Sequence, residues 1–195
     1  MSDEIIISFA GPFSWPGTPD AISVYDVDEG RKAGIYVWTV PLRDGHLIYY
    51  VGETGRNFGN RLRQHYDELA AARYHVYSAR EFARGEKVTL WPGRFDAMNR
   101  KSDDECQANC HLLSEQIREM MLALRFFLAP LSCDTRTRRR IEAAIAQSLY
   151  AAPGIVGTFQ DQGIHYHPRT NDEDPIACVV CSPVPVLGLP ERFWA

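Results

Sequence analysis

Two β-favouring runs joined by a short turn constrain the fold of this 195-residue chain more than any other feature. Residues 34–40 and 46–51 are rich in Ile, Tyr, Val, Trp and Thr, side chains that favour extended backbone. Asp44-Gly45 stands between them, and Asp-Gly is the pair that suits a tight type I′ turn. Residues 34–52 are therefore predicted to form an antiparallel β-hairpin.

Two helices and a third strand are predicted to pack with this hairpin. Apolar residues at Leu62, Tyr66 and Leu69 recur at the spacing of one helix face, which predicts a helix over about 60–73. Residues 123–131 have the composition of a third core strand. A further helix begins after Asp134 or Thr135 and ends at Pro153-Gly154.

The fold class expected from these elements is α/β of the α+β type: a small three-stranded antiparallel sheet flanked by helices, with a middle insertion and a C-terminal elaboration. One domain is expected, because no repeat or low-complexity linker divides the chain. Its predicted parts are a core of residues 34–73 and 123–152, an insertion of residues 74–122 and a C-terminal extension of residues 153–195. Residues 10–29 are rich in Gly, Pro and Asp and are expected to form a lead-in along the surface.

The insertion has signals of its own. Residues 87–91 favour a strand, and Asp103 or Asp104 is suited to cap a helix that runs to about Met121. Leu112 is expected on the buried side of that helix, together with Leu113, Ile117 and Met120.

Composition places the chain among globular proteins. It is 45% hydrophobic and 24% charged, no segment has the roughly 20 apolar residues of a membrane span, and residues 1–9 lack the basic leader of a signal peptide, so a cytoplasmic location is expected. The net charge of -4 argues mildly against a protein that coats nucleic acid. Arginines nevertheless cluster within residues 56–63 and 136–140, so a local basic cleft is possible.

Five is an odd number of cysteines in a chain with the features of an intracellular protein, so at least some are expected to be free thiols and a disulfide framework is not expected; buried free cysteines are the default interpretation. Cys106 and Cys110 are one helical turn apart, and Cys178 and Cys181 form a CxxC, which raises the alternative of a structural zinc site. Residues three apart on a strand point to opposite faces, so the second pair cannot reach one metal without a turn.

The predicted hairpin carries two tripeptides in a specific order. Gly34-Ile35-Tyr36 lies on its first strand and Tyr50-Val51-Gly52 ends its second strand. This pair resembles the signature of the GIY-YIG nuclease family, with Val in place of the middle Ile. The resemblance covers residues 34–68 closely and residues 123–150 by order and residue type, while some fifty residues between them have no counterpart in the minimal family module.

The resemblance implies a set of catalytic residues: Tyr36, Tyr50, Arg61, His65 and Glu142. Tyr36 would act as the base or orient the attacking water, with Tyr50 and His65 hydrogen-bonded around it. Arg61 would hold phosphate, because a guanidinium offers paired donors and stays charged. Glu142 would bind Mg²⁺ or Mn²⁺, which needs only one or two protein carboxylates.

Further substrate contacts are expected from Gly52, Arg56, Arg63, Arg169 and Asn171. Family members usually place an asparagine after the glutamate helix. Asn171 is the asparagine that follows this helix in the sequence, and Gln160 and Gln162 are alternatives that lie nearer to the end of the helix. His165, Tyr166 and His167 alternate beside Arg169 and are expected to form a substrate-contacting surface.

The expected function is a metal-dependent endonuclease that hydrolyses DNA phosphodiester bonds, with nucleic acid as its partner and an oligomeric state left open. The alternative is a catalytically inactive nucleic-acid or protein-binding module with the same fold. Without the motif, Tyr36 and Tyr50 would be core tyrosines and Arg61 with His65 a solvated helix face. Glu142 would then form an ion pair with Arg138 or Arg139 one turn earlier.

Overall fold

The structure, a computed structural model, describes residues 4–161 and 163–195. The strands are β1 (Ile5–Ser8), β2 (Ala10–Phe13), β3 (Gly34–Leu42), β4 (Gly45–Thr54), β5 (Val76–Tyr77), β6 (Thr89–Trp91), β7 (Arg125–Pro130), β8 (Ala177–Cys181), β9 (Val186–Leu187) and β10 (Arg192–Trp194). The helices are α1 (Phe58–Ala70), α2 (Ala79–Phe82), α3 (Asp103–Asn109), α4 (Ser114–Ala123), α5 (Thr135–Ala151) and α6 (Ile155–Phe159). Within these described ranges no helix has the length and apolar character needed to cross a membrane.

The main sheet has five strands in the order β2-β7-β3-β4-β9, so the predicted small three-stranded sheet is wrong. The part of the chain that the structure describes is α+β, with ten strands in three sheets; the other two sheets are β1-β8-β10 and β5-β6. The two strands that extend the predicted sheet are β2, from the lead-in, and β9, from the C-terminal extension, which is called the tail below. β2 contains Gly11-Pro12, and β9 has two residues. Both cover edges of the central strands that would otherwise leave backbone groups unpaired.

The predicted hairpin is confirmed, but its turn differs from the prediction. Arg43 and Asp44 connect Leu42 to Gly45, and neither of these two turn residues has the positive φ that a type I′ turn requires. Gly45 instead begins β4 with a φ of +144°, and a Cβ there would lie 2.6 Å from the carbonyl oxygen of Pro185. The glycine is therefore needed for the approach of the tail.

Alternate residues of β3 pack on opposite faces of the sheet. Tyr36 and Trp38 join a buried cluster with residues of α1 and α4, whereas Ile35 and Val37 join a cluster with residues of α5. The sheet is thus covered on both sides, and α1 and α5 lie on opposite faces. Side chains from these two helices can meet only around an edge or an end of the sheet.

The single helix predicted from residue 103 to about 121 is wrong, because α3 ends at Asn109 and α4 begins at Ser114. The Asn109 side chain donates to the Glu105 carbonyl, a local bond that competes with helix continuation. Leu112, expected on the buried side, lies between the helices and is 76% exposed. Ile117 and Met120 of α4 are buried as expected.

Candidate active site

A hydrogen-bonded network links β3 to α1. The Tyr36 side chain is fully buried, and its hydroxyl lies 2.8 Å from Nε2 of His65. Arg61 donates from Nε to the same hydroxyl at 3.3 Å. On its other side, His65 places Nδ1 3.0 Å from the hydroxyl of Tyr74. The Asn57 side chain caps α1 by accepting from the Asn60 backbone N–H, which fixes the helix start that positions Arg61 and His65.

Burial holds the Tyr36–His65 pair in its neutral form. Burial lowers the pKa of His65 to about 3, and the Arg61 charge acts in the same direction. Burial raises the pKa of Tyr36 to about 12, although the charge and hydrogen bond of Arg61 oppose this rise. Arg61 can only donate, so the arrangement in which every group uses its proton has Tyr36 donating to Nε2 of His65. His65 then donates from Nδ1 to Tyr74.

Gly52 lies directly opposite Tyr36 in the hairpin, under the rings of both motif tyrosines. A Cβ at Gly52 would stand 2.5 Å from the Tyr36 hydroxyl oxygen and 2.7 Å from Cε1 of Tyr50. No side chain fits in that space, which explains the glycine of the second tripeptide. Gly34, in the first tripeptide, is similarly crowded by the Ala129 backbone of β7. Gly52 is buried by this packing and acts as a floor for the rings.

Glu142 enters the site from α5 at the outer edge of β4. Its half-buried carboxylate accepts a hydrogen bond from the backbone N–H of Glu53. Burial raises the pKa of Glu142 to about 7, and the Glu53 charge adds to this effect. The hydrogen bond from Glu53 and the charges of Arg139 and Arg61 oppose it.

Electrostatic interactions connect Glu142 to the network on the other face of the sheet. Its charge raises the pKa of Tyr36 and of Tyr50, and Arg61 lowers the pKa of Glu142 in turn. The structure therefore brings Tyr36, Tyr50, Arg61 and His65 together on one face of the sheet, and it places Glu142 on the other face, near enough for its charge to act on them.

The arginines one turn before Glu142 have a different partner. Arg138 and Arg139 lie 3.2 Å and 3.7 Å from the Glu53 carboxylate. Asp134 caps α5 through the Thr137 backbone N–H, so the predicted helix start is confirmed.

A cavity of about 640 Å³ opens beside this cluster. Tyr50, Arg61 and His65 line one side of it, and residues of the insertion, among them Tyr74 and Phe95, line the other. Neither Tyr36 nor Glu142 lines the cavity, and Tyr36 is connected to it through Arg61 and His65. The solvent-facing part of the site is thus formed by Tyr50 and Arg61.

Two of the predicted substrate-binding arginines lie elsewhere. Arg63 is exposed, and its guanidinium lies over the ring of Tyr25 at 4.6 Å. It lies two residues after Arg61, about 200° away around the helix, so it faces away from the cavity. Arg56 is exposed in the loop before α1, where its backbone N–H donates to Oγ1 of Thr54.

Arg169 and Asn171 belong to a loop of the tail. Arg169 donates to the carbonyl of Glu173 at 2.8 Å, and Glu173 accepts from Arg136 on α5. Asn171 is exposed in a turn of this loop. These contacts stabilise the tail against α5, and they do not connect either residue to the Tyr36 network.

The tail also covers the outer edge of β4. Gln160 is buried and donates to the carbonyl of Ile48 at 2.7 Å, while the backbone N–H of Asp161 donates to the carbonyl of Tyr49. The amide of Gln160 therefore has a structural partner where the family asparagine was sought. Gln162 lies outside the described residues. Tyr166 donates to the carbonyl of Val51, so part of the predicted His-Tyr-His surface closes this edge.

Tyr74 and Glu53 are functional candidates that the sequence patterns did not reveal. Tyr74 follows α1, and no helical spacing from His65 brings it into contact with the imidazole. Glu53 had a usable signal, because an acid directly after the second tripeptide had a run of arginines available as partners. Lys87 and Asp161 also line the cavity from the insertion and the tail.

The donor set at the site fits a weakly held divalent ion. Over the ranges that the structure describes, no group of three His, Cys, Asp or Glu side chains could enclose a metal, and the five cysteines are free. Glu142 is a half-buried carboxylate whose ionised form is disfavoured, and a cation would offset that cost. Mg²⁺ accepts a single carboxylate and completes its shell with water and substrate oxygens. Glu142 therefore suits Mg²⁺ or Mn²⁺ held partly by substrate.

A comparison with protein-family models, with curated proteins and with solved structures found no match to this chain. The function proposed below therefore rests on the residues of the site and their geometry.

Proposed function

We propose that this chain is a GIY-YIG endonuclease that hydrolyses DNA phosphodiester bonds with the help of Mg²⁺ or Mn²⁺. The observation that carries the proposal is the contact of Tyr36 with Arg61 and His65, with Tyr50 beside them. Glu142, from a second helix, is near enough for its charge to act on both tyrosines. Together these residues offer what phosphodiester hydrolysis needs: a charged phosphate ligand, a path for a proton and a carboxylate for a metal.

Arg61 is the proposed phosphate ligand. Its Nε donates to Tyr36 and its Nη1 donates to the Gln64 side chain, so the guanidinium is oriented at two points. The same side chain lines the cavity, where its other N–H groups can reach a bound phosphate. A charge-assisted contact of this kind strengthens as negative charge builds up on the phosphorane.

Tyr50 and the Tyr36–His65 pair are the proposed route for the proton of the attacking water. Tyr50 lines the cavity and orients the water, while the buried Tyr36 lies behind it. As the water gives up its proton to Tyr50, the proton of Tyr50 passes to Tyr36 and the proton of Tyr36 passes to Nε2 of His65. The resulting imidazolium, which burial disfavours, is stabilised by the negative charge of the phosphate.

Glu142 is the proposed metal ligand, supported on the opposite side by the Glu53 backbone. A bound Mg²⁺ would neutralise charge on the phosphate and on the leaving oxygen. Because the Glu142 pKa is raised to about 7, protons compete with the metal at neutral pH and affinity without substrate is low.

The second candidate is a binding module that retains the fold without cleaving. The complete burial of the Tyr36 hydroxyl favours it, because substrate must reach that group through Tyr50. A cleavage assay distinguishes the nuclease from the binding module, since a binding module binds nucleic acid or protein at the same surface and leaves it intact.

The test is a nuclease assay on single-stranded and plasmid DNA with Mg²⁺, comparing wild type, Arg61→Ala and Arg192→Ala. Arg192 lies on β10, outside the main sheet, with a side chain that is 75% exposed and does not line the cavity, so its variant removes the same charge from a position outside the site. We expect Arg61→Ala to lose about a hundredfold or more in rate, because a transition-state contact of a few kcal/mol is removed.

Wild-type activity should persist in Arg192→Ala and vanish in EDTA. Cleavage that is equal in wild type and Arg61→Ala would contradict the proposed site. No cleavage by wild type on any of these substrates would favour the binding module.

A further inference from the structure

The cavity beside Arg61 has the size and the surface of a small-molecule site. Its volume of about 640 Å³ lies within the usual range of roughly 300–1,000 Å³ for such sites. Trp38, Tyr49 and Tyr77 provide buried aromatic surface, and Phe95, which is 62% exposed, stands on its solvent side. Much of this wall belongs to the insertion, which the minimal family module lacks.

Aromatic faces suit a flat, polarisable ligand. The rings of Tyr74 and Phe95 are 5.6 Å apart and tilted by 52°, whereas the ring of Tyr77 is already stacked on His75 and on Phe82. Tyr74 and Phe95 therefore supply the surface on which a base would stack. Base stacking on such side chains contributes about 1–3 kcal/mol per base in single-strand binding proteins. A sugar-phosphate backbone would gain little from these surfaces.

The charged groups of the cavity balance one another. Arg61 and Lys87 are positive, whereas Asp96 and Asp161 are negative. Lys87 donates to the Gln160 carbonyl at 2.6 Å, and the Asp96 carboxylate lies 3.2 Å from Nε2 of His75. A second phosphate would meet two carboxylates here. A neutral group with both donors and acceptors on its edge would find partners of both kinds.

Arg61 fixes where such a ligand would lie in a nucleic acid. The same guanidinium contacts the Tyr36 network and lines the cavity, so a phosphate on Arg61 places the adjoining base at the cavity. We propose, building on the proposed nuclease function, that this cavity receives one unstacked nucleobase of the strand being cut. The substrate class is then single-stranded or locally unpaired nucleic acid, because a base inside a duplex cannot enter.

Equilibrium binding in EDTA tests the pocket without cleavage. The probes are a fluorescent single-stranded oligonucleotide and a fully abasic oligomer of the same length, which keeps every phosphate and lacks every base. Wild type should bind the base-bearing strand about 5- to 150-fold more tightly, the range that corresponds to one stacked base. A duplex of the same sequence should bind less tightly than the single strand.

Two variants in one loop locate the effect. Phe95→Ala removes an exposed aromatic face from the cavity, whereas Met98→Ala changes a side chain that is 91% exposed and does not line it. We expect Phe95→Ala to reduce the preference for the base-bearing strand several-fold and Met98→Ala to leave it intact. Both residues are surface positions, so neither variant should unfold the protein.

Equal affinity of wild type for the two strands would overturn the pocket, as would equal effects of the two variants. If wild type still cuts DNA in that case, the nuclease function stands and the base pocket alone fails. Failure to bind either strand together with failure to cut would overturn both.

Discussion

Tyr36 and Glu142 bind their protons more tightly than the same side chains do in water, and burial is the main cause for each. The raised pKa has different consequences for the two residues, because Tyr36 is fully buried and Glu142 is half-buried. The buried Tyr36 stays a phenol and serves in a chain of hydrogen bonds. Glu142 changes its charge near neutral pH, where the proposed metal would compete with the proton for the same oxygens.

A change of Glu142→Gln should stabilise the protein at alkaline pH while it removes cleavage. The folded-state pKa of about 7 lies above the ordinary 4.5, so ionising Glu142 costs folding free energy. This cost is absent below the unfolded-state pKa, grows between the two values and is complete above about pH 7. Glutamine does not ionise, so it avoids this cost, and its side-chain oxygen still accepts from the Glu53 backbone N–H. The free energy of unfolding at pH 8 should therefore rise by about 1–2 kcal/mol, which is less than the full pKa shift implies because the side chain is partly exposed.

Thermal melting at pH 5 and pH 8 measures this effect. The difference in Tm between Glu142→Gln and wild type should widen toward pH 8. Glu119→Gln, at an exposed position on α4, serves as the control and should show no such widening. A constant difference across this range would mean that Glu142 ionises as it does in water.

The hairpin of β3 and β4 is the element that assembles the site, and its glycines set how closely the strands and rings can pack. In a change of Gly52→Ala, the new methyl group would meet the Tyr36 hydroxyl at 2.5 Å. Both motif tyrosines would have to move, and overpacking of this kind costs about 1–3 kcal/mol. We expect a lower Tm and loss of cleavage.

Gly59→Ala is the matched control for that substitution. Gly59 lies in the first turn of α1, where a Cβ would meet the Gly30 carbonyl oxygen at 3.3 Å, a close contact but a much longer one than those at Gly52, and alanine has the better helix propensity. Its Tm should change much less than that of Gly52→Ala. Equal changes in the two variants would argue against steric support of the tyrosines by Gly52.

The central elements could be predicted from the sequence because their signals are local. The two tripeptides fall on adjacent strands, and the cap Asp134 begins α5, while α1 begins at Phe58, close to the predicted start at about residue 60. The remaining strands of the main sheet could not be predicted, since β2 and β9 are short, lack alternation and form because they cover strand edges. Leu112 was misplaced because its spacing fits a helix that α3 does not continue.

Site residues could be predicted where the two tripeptides and the following helix fix their order in the sequence. They could not be predicted where tertiary contacts determine which side chains reach the site. The motif identified Arg61 and His65, which share a face of α1 and reach Tyr36. Arg63 was proposed for its charge, yet its position on the helix turns it toward Tyr25. Tyr74 joins His65 through the path of the chain after α1, which no residue spacing indicates.

At the scale of the whole molecule, the site depends on the sheet having helices on both faces. Arg61 on α1 and Glu142 on α5 lie on opposite faces of the sheet with 80 residues between them in the sequence, yet the Arg61 charge lowers the pKa of Glu142. The acidic net charge of -4 predicts weak nonspecific attraction to DNA, so binding must come from this local region. The proposed nuclease function therefore requires Arg61 from α1 and Glu142 from α5 to act on the same phosphate.

A double-mutant cycle under single-turnover conditions tests that claim most directly, with Mg²⁺ and excess protein over single-stranded DNA. Arg61→Ala and Glu142→Gln should each slow cleavage by about a hundredfold or more. Residues that act as one catalytic unit are strongly non-additive, so the double variant should be hardly slower than the slower single variant. A loss in the double variant equal to the product of the two single losses, or cleavage that neither substitution slows, would contradict a single site formed by α1 and α5.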